Sequence, residues 1–201
     1  MSEPSQFDGL RKLPTEPVAK VLAQANAKIQ TPLDTPASAL AAEVLSELSS
    51  KYAVTDMLLV LAHCLPAREA TWWACLSGRD LAPAASPTLK AAEEWVLRPG
   101  ADTRQRARDA LDSAAPDDAT ELCAMAACCA DGTLGPGEFE DYNAPAGTVG
   151  IAAYSMALMA LYQDADAVDA HGQILVERAL DIARGGNGQI ESWHRTEPKR
   201  E

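Results

Sequence analysis

Wound as a helix, the stretch VTDMLLVLAHCL at residues 54 to 65 is apolar on nearly every side. A helix of that kind is stable only when other helices enclose it. The rest of the chain must therefore supply enclosing faces. Strands cannot do so, because no sustained alternation of Val, Ile, Thr and Tyr occurs and no Asn-Gly turn separates apolar runs. The sequence predicts an all-α fold with this segment as its central helix.

Helical text continues on both sides. Thr15-Glu16-Pro17 opens a helix with Val18, Val21, Leu22 and Ala25 at helical spacing. Thr35-Pro36 is expected to cap a second, whose stripe is Leu40, Val44, Leu45 and Leu48. Pro66 ends the central helix and begins the next. Ser86-Pro87 opens another through Leu89, Ala92, Trp95 and Val96, stopped at Arg98-Pro99-Gly100.

Asp102 with Gln105 reads as a capping box for the polar TRQRARDALD helix, which is expected on the surface. There Arg104, Arg106 and Arg108 fan around the axis among Asp102, Asp109 and Asp112 as a salt-bridged face. Segments 117 to 130, 148 to 161 and 169 to 184 bring the count to about nine helices. Gly150, Ala153, Ala157 and Ala160 in the second of these favour close helix packing. The resulting domain plan is a flexible segment at 1–14, a single globular all-α domain of antiparallel helix pairs at 15–185, and a mobile tail at 186–201. A solenoid-like stack is the alternative arrangement, although no residue period supports repeats.

Charge bears on partners. With 29 acidic against 17 basic residues the formal charge is -12, which repels nucleic acid and anionic membranes and attracts a basic protein. No signal-peptide core and no membrane-spanning run is read. Five cysteines embedded in helical text suit reduced thiols in the cytoplasm.

Cys64, Cys75, Cys123, Cys128 and Cys129 fall into no metal-ligand spacing with one another or with the histidines, so they are expected as small buried hydrophobes. Neither a metal, a cofactor nor a catalytic residue is expected. The enzymatic alternative is a nonlocal site of His63, Cys64 and Asp56. Asp56 and His63 share one helix face but lie two turns apart, too far for a direct hydrogen bond.

The long internal loop, DGTLGPGEFEDYNAPAG at residues 131 to 147, has an acidic centre at Glu138, Glu140 and Asp141. It lacks both the ending of a phosphate-binding loop and the ligand offsets of an EF-hand. A solvated loop or a docking surface for a basic partner remains.

Two tryptophans stand side by side in REATWWACLSGRDL, residues 68 to 81. On a helix they diverge by about 100°. Trp72 is expected as a core wedge with Cys75 and Leu76, Arg68 resting on its ring. Trp73, beside Glu69, is expected at an edge as an anchor for a partner, Trp and Arg being typical hot-spot residues. Trp193 in the tail would be a second apolar anchor. The expected partner-binding set is therefore Arg68, Glu69, Trp73, Glu138, Glu140, Asp141 and Trp193.

The motif LPAREATWWACL, residues 65 to 76, resembles the Pro-x-Arg-Glu-Ala-x-Trp-Trp-Ala-Cys signature of an uncharacterised bacterial family of helical cytosolic proteins of similar length, encoded near type VI secretion components. The resemblance implies a setting and assigns no activity. The function expected is a non-catalytic protein-interaction module, an adaptor or chaperone-like accessory of such an apparatus. An immunity-type inhibitor of a basic toxin and the His63/Cys64/Asp56 enzyme are the alternatives.

Overall fold

The computed structural model describes residues 5–82 and 84–190. Among them run nine α-helices: α1 Val18–Gln24, α2 Ala41–Ser50, α3 Val54–Cys64, α4 Ala67–Leu81, α5 Pro87–Leu97, α6 Ala101–Asp112, α7 Glu121–Cys128, α8 Thr148–Leu161 and α9 Val168–Arg184. The only extended pairing among these residues is an isolated bridge between Thr133 and Asn143. The fold is all-α, as the residue pattern requires.

α3 is enclosed from Asp56 to Ala62 and at Cys64. It shares the centre with α8, a helix without a charged residue that packs on α3, α4, α7 and α9. Gly150, Ala153, Ala157 and Ala160 are all buried, and these small residues let the neighbouring helices approach closely. In a solenoid each unit meets only its neighbours in sequence. Here α8 lies against α3 and α4, so the helices close into one bundle.

Three helix starts differ from the sequence expectation. Thr35 does not cap α2. Its N–H and that of Asp34 donate to the Glu47 carboxylate at 2.8 and 2.6 Å, and Lys51 donates to the same group at 2.6 Å. The bond from Lys51 and those from the two amides hold the Glu47 pKa down to about 2. Asp56 likewise accepts the amides of Gln30 and Thr31 at 3.0 and 2.8 Å. Two carboxylates thus hold the loop between α1 and α2.

α6 begins at Ala101, which leaves Asp102 inside its first turn rather than at the cap. α7 begins only at Glu121, because Asp118 accepts the Thr120 N–H at 2.8 Å and the Thr88 hydroxyl at 2.7 Å. That carboxylate ties the start of α7 to the start of α5, where Ser86 caps the Leu89 amide at 3.1 Å as expected.

The N-terminal segment expected to be flexible is packed over its described part. Phe7 and Leu13 are buried, the Lys12 N–H donates to Ala183 O at 2.9 Å, and Lys12 pairs with Glu69 at 2.8 Å. Two apolar side chains removed from water supply the reason. After α9 the chain turns at Gly185, which has a left-handed φ of 106°, and the Gly188 N–H donates to Asp181 at 2.8 Å. The remainder of the expected tail, with Trp193, lies outside the described residues. No helix among the described residues is long and apolar enough to cross a membrane.

Candidate functional site

The structure reverses the expected roles of the tryptophan pair. Trp73 is fully buried, and its indole N–H donates to Leu175 O of α9 at 3.0 Å. It is a core residue and offers no anchor to a partner. Trp72 is the half-buried ring, with its N–H donated to Asn187 O at 2.7 Å. The cation over Trp72 is Arg79, 5.7 Å from the ring centre, and not Arg68. Arg68 donates to Val96 O at 2.7 Å near the end of α5, and Glu69 is engaged by Lys12. Cys75 and Leu76 are buried, as expected. Divergence on the helix separates the rings, but which ring faces inward is set by α9, about a hundred residues downstream.

Two turns past this pair α4 carries Asp80 into a buried polar cluster with α9. Asp80 Oδ2 meets His171 Nε2 at 3.1 Å, and the Arg178 guanidinium bridges both carboxylate oxygens. Side-chain exposures are 8%, 1% and 7% for Asp80, His171 and Arg178. Sequence reasoning missed this cluster. Asp80 is 91 and 98 positions from His171 and Arg178, and no local spacing joins it to them.

The His63, Cys64 and Asp56 constellation does not assemble. A cavity of about 250 Å³ opens beside His63 between the start of α8 and the loop before it, and neither Cys64 nor Asp56 lines it. Burial pushes the Cys64 thiol up to about 12, and Cys128 likewise, which removes the thiolate that nucleophilic chemistry needs. Both Asp56 oxygens accept backbone amides. His63, lowered in pKa by desolvation, lies flat against Gly150, where an added Cβ would come within 2.4 Å of Nδ1. Gly150→Ala is therefore expected to destabilise the fold by about 1–3 kcal/mol through overpacking. Chemical denaturation of the single variants and of Gly150→Ala with His63→Ala would check this, because removal of the ring should recover most of the loss.

The acidic loop departs from expectation on its inner side. Arg104, placed on the surface by its polar context, is buried. It donates to Cys128 O at 2.9 Å and to the Thr133 hydroxyl at 2.6 Å, forms an ion pair with Asp131, and stands 4.0 Å from Glu140. Arg108 sits 4.3 Å over the Phe139 ring. Within the loop the Leu134 N–H donates to Tyr142 O at 2.8 Å and the Ala144 N–H to Gly132 O at 2.9 Å. The guanidinium thus stands against Asp131, where a cation reading of this loop would place an ion, and no group of three metal-ligating side chains occurs among the described residues. Glu138, Glu140 and Asp141 remain exposed on the outer side, next to Tyr142. The signal that could have linked arginine to loop was the Asp131-Gly-Thr133 turn, whose carboxylate accepts the Thr133 N–H at 3.0 Å.

A second exposed surface follows α8. Ile151, Met159 and Tyr162 are 48%, 41% and 58% exposed. At offsets of eight and eleven residues they fall on one side of the helix, with Ser155 between them. Asp164 and Asp166 follow in the short turn that leads to α9, and Asp169 lies in the first turn of α9.

Compared with known proteins, residues 44–183 match the model of a family described only as of unknown function. No curated protein and no solved structure matches the chain.

Proposed function

The chain belongs to that family of unknown function, DUF6931, and from this premise we propose that it is a non-catalytic protein-interaction module presenting a fixed acidic loop to a basic partner. One observation carries the reading: Glu138, Glu140 and Asp141 are exposed on a loop whose inner side is held by the buried guanidinium of Arg104, which also stands 4.0 Å from Glu140. A loop already fixed in shape loses little entropy when a partner docks. A chain at -12 also steers a basic protein toward it. The exposed Tyr142 adds an aromatic contact beside the carboxylates.

The finer proposal is an accessory adaptor or chaperone of a type VI secretion apparatus, acting in the bacterial cytoplasm. Its support is the resemblance carried by LPAREATWWACL. The test is a native pull-down of the full chain with mass spectrometry, wild type against the triple variant Glu138→Gln, Glu140→Gln, Asp141→Asn. A basic secretion component should be retained by the wild type and fall by on the order of tenfold with the variant, as for a steering charge patch. Equal retention by both proteins would sink the loop as the contact. A single basic toxin held one to one would favour the immunity reading.

A further inference from the structure

The cavity beside His63, between the start of α8 and the loop before it, serves neither the acidic outer side of that loop nor any chemistry described above. We propose that it binds a compact uncharged molecule of about ten non-hydrogen atoms, which presents a carbonyl oxygen to the His63 imidazole.

The uncharged character follows from the lining. Among the described residues no Asp, Glu, Lys or Arg lines the space, in a chain with 29 acidic and 17 basic residues. A charged guest would lose its water there and meet no counter-charge. The walls are small and apolar, Ala62, Ala67, Ala130, Ala144 and Ala146 among them, and their missing bulk leaves a volume of about 250 Å³ open. A cavity of about 150 Å³ takes up a benzene molecule, so the same packing gives a guest of about ten non-hydrogen atoms. Ligand sites are typically apolar spaces of this sort, with a few placed polar groups that fix orientation.

His63 supplies the polar group. Of the other lining side chains able to hydrogen-bond, Thr148 donates its hydroxyl to Pro145 O at 2.7 Å and Cys129 Sγ stands 3.9 Å from Leu134 O. The imidazole has no such partner among the described residues, and its Nε2 is closed off from water. Desolvation lowers the His63 pKa, so the ring is neutral and carries one proton. A buried N–H without an acceptor is rarer than a bare acceptor, which puts the proton on Nδ1 and leaves Nε2 bare. Nδ1–H is then the donor left for the cavity, and a carbonyl oxygen satisfies it. The ring is also held in place, since an added Cβ at Gly150 would collide with Nδ1 and one at Gly147 would come within 3.3 Å of Cε1. A donor fixed before binding costs little to order when the guest arrives.

An NMR titration of the isotope-labelled full chain with benzamide, which has that size and a carbonyl oxygen but no charge, tests the proposal. Saturable shifts confined to the His63 ring and the cavity walls are expected, with a dissociation constant on the order of 1 mM, as suits a guest so small. Benzoate, its charged counterpart in shape, should bind at least tenfold more weakly. Ala67→Leu, which fills the space from the start of α4, should abolish the shifts while circular dichroism stays that of the wild type. The ring nitrogens of His63 report the tautomer in the wild type without any substitution, and a proton on Nδ1 with Nε2 bare is expected. The proposal is overturned if benzamide at ten times that concentration gives no saturable shift or shifts away from the cavity. Benzoate binding as tightly as benzamide, an Ala67→Leu protein that binds like the wild type, or a proton on Nε2 would each overturn it as well. None of these measurements involves a protein partner, so the acidic-loop reading stands or falls separately by its own triple variant.

Discussion

Replacing Asp80 by alanine is expected to lower the stability of the fold by about 3–5 kcal/mol, the range for removing one partner of a buried ion pair. In a chain of this length that is a fall in melting temperature on the order of 10 °C. The cause is local. Asp80, His171 and Arg178 are nearly excluded from water, and the Asp80 carboxylate is the group that both the imidazole and the guanidinium face. Taking it away leaves the Arg178 charge buried without that carboxylate. Asp80→Asn keeps the volume and one acceptor oxygen, so its loss should be intermediate. Thermal and urea denaturation followed by circular dichroism would decide the matter. An Asp80→Ala protein with the wild-type midpoint would show that α4 and α9 are not held together through this cluster.

The second large effect concerns the tryptophans. Trp73→Ala should cost about 3–5 kcal/mol, since a ring with no exposed surface leaves a cavity that helices on several sides cannot collapse into. Trp73→Phe keeps most of the volume but loses the hydrogen bond to Leu175 O, and should cost clearly less. Trp72→Ala removes a half-buried ring, its bond to Asn187 O and the Arg79 contact, and should fall well below Trp73→Ala. The order is the informative quantity: equal losses, or a larger one at Trp72, would contradict the placement of the two rings. Reading the sequence alone leads to the opposite order.

That inversion shows where the sequence stops being informative. Helix existence is carried by local chemistry: Ser86-Pro87, Pro66 and Gly185 act on their own neighbours, and the end of α3, the starts of α4 and α5 and the end of α9 are found where those residues put them. The start of α2 was illegible because Thr35 donates its amide to a carboxylate twelve residues on, in the helix it was expected to cap. Arg104 was misplaced for a related reason. Its own helix is polar, and its burial is decided by Asp131 and Thr133, on a loop that returns to it. The carboxylates Glu138, Glu140 and Asp141 were legible as a surface because exposed charge needs no partner to be understood. The apolar face of α8 was masked by its own uniformity: a helix hydrophobic all round reads as wholly enclosed, and only the arrangement of its neighbours shows which side they leave open.

The clasp between the two ends of the described chain has a consequence for how the protein is made. The Lys12 amide is held by Ala183, and the Arg184 guanidinium donates to the carbonyls of Gln6 and Asp8. A ribosome releases Lys12 early, and its partner Ala183 follows 171 residues later, on the order of 10 to 30 s at ordinary elongation rates. Over that interval the Ala183 carbonyl and the Arg184 guanidinium that hold the segment do not exist. The clasp at this end can therefore close only after α9 has been made, and the leading segment waits for those partners throughout synthesis.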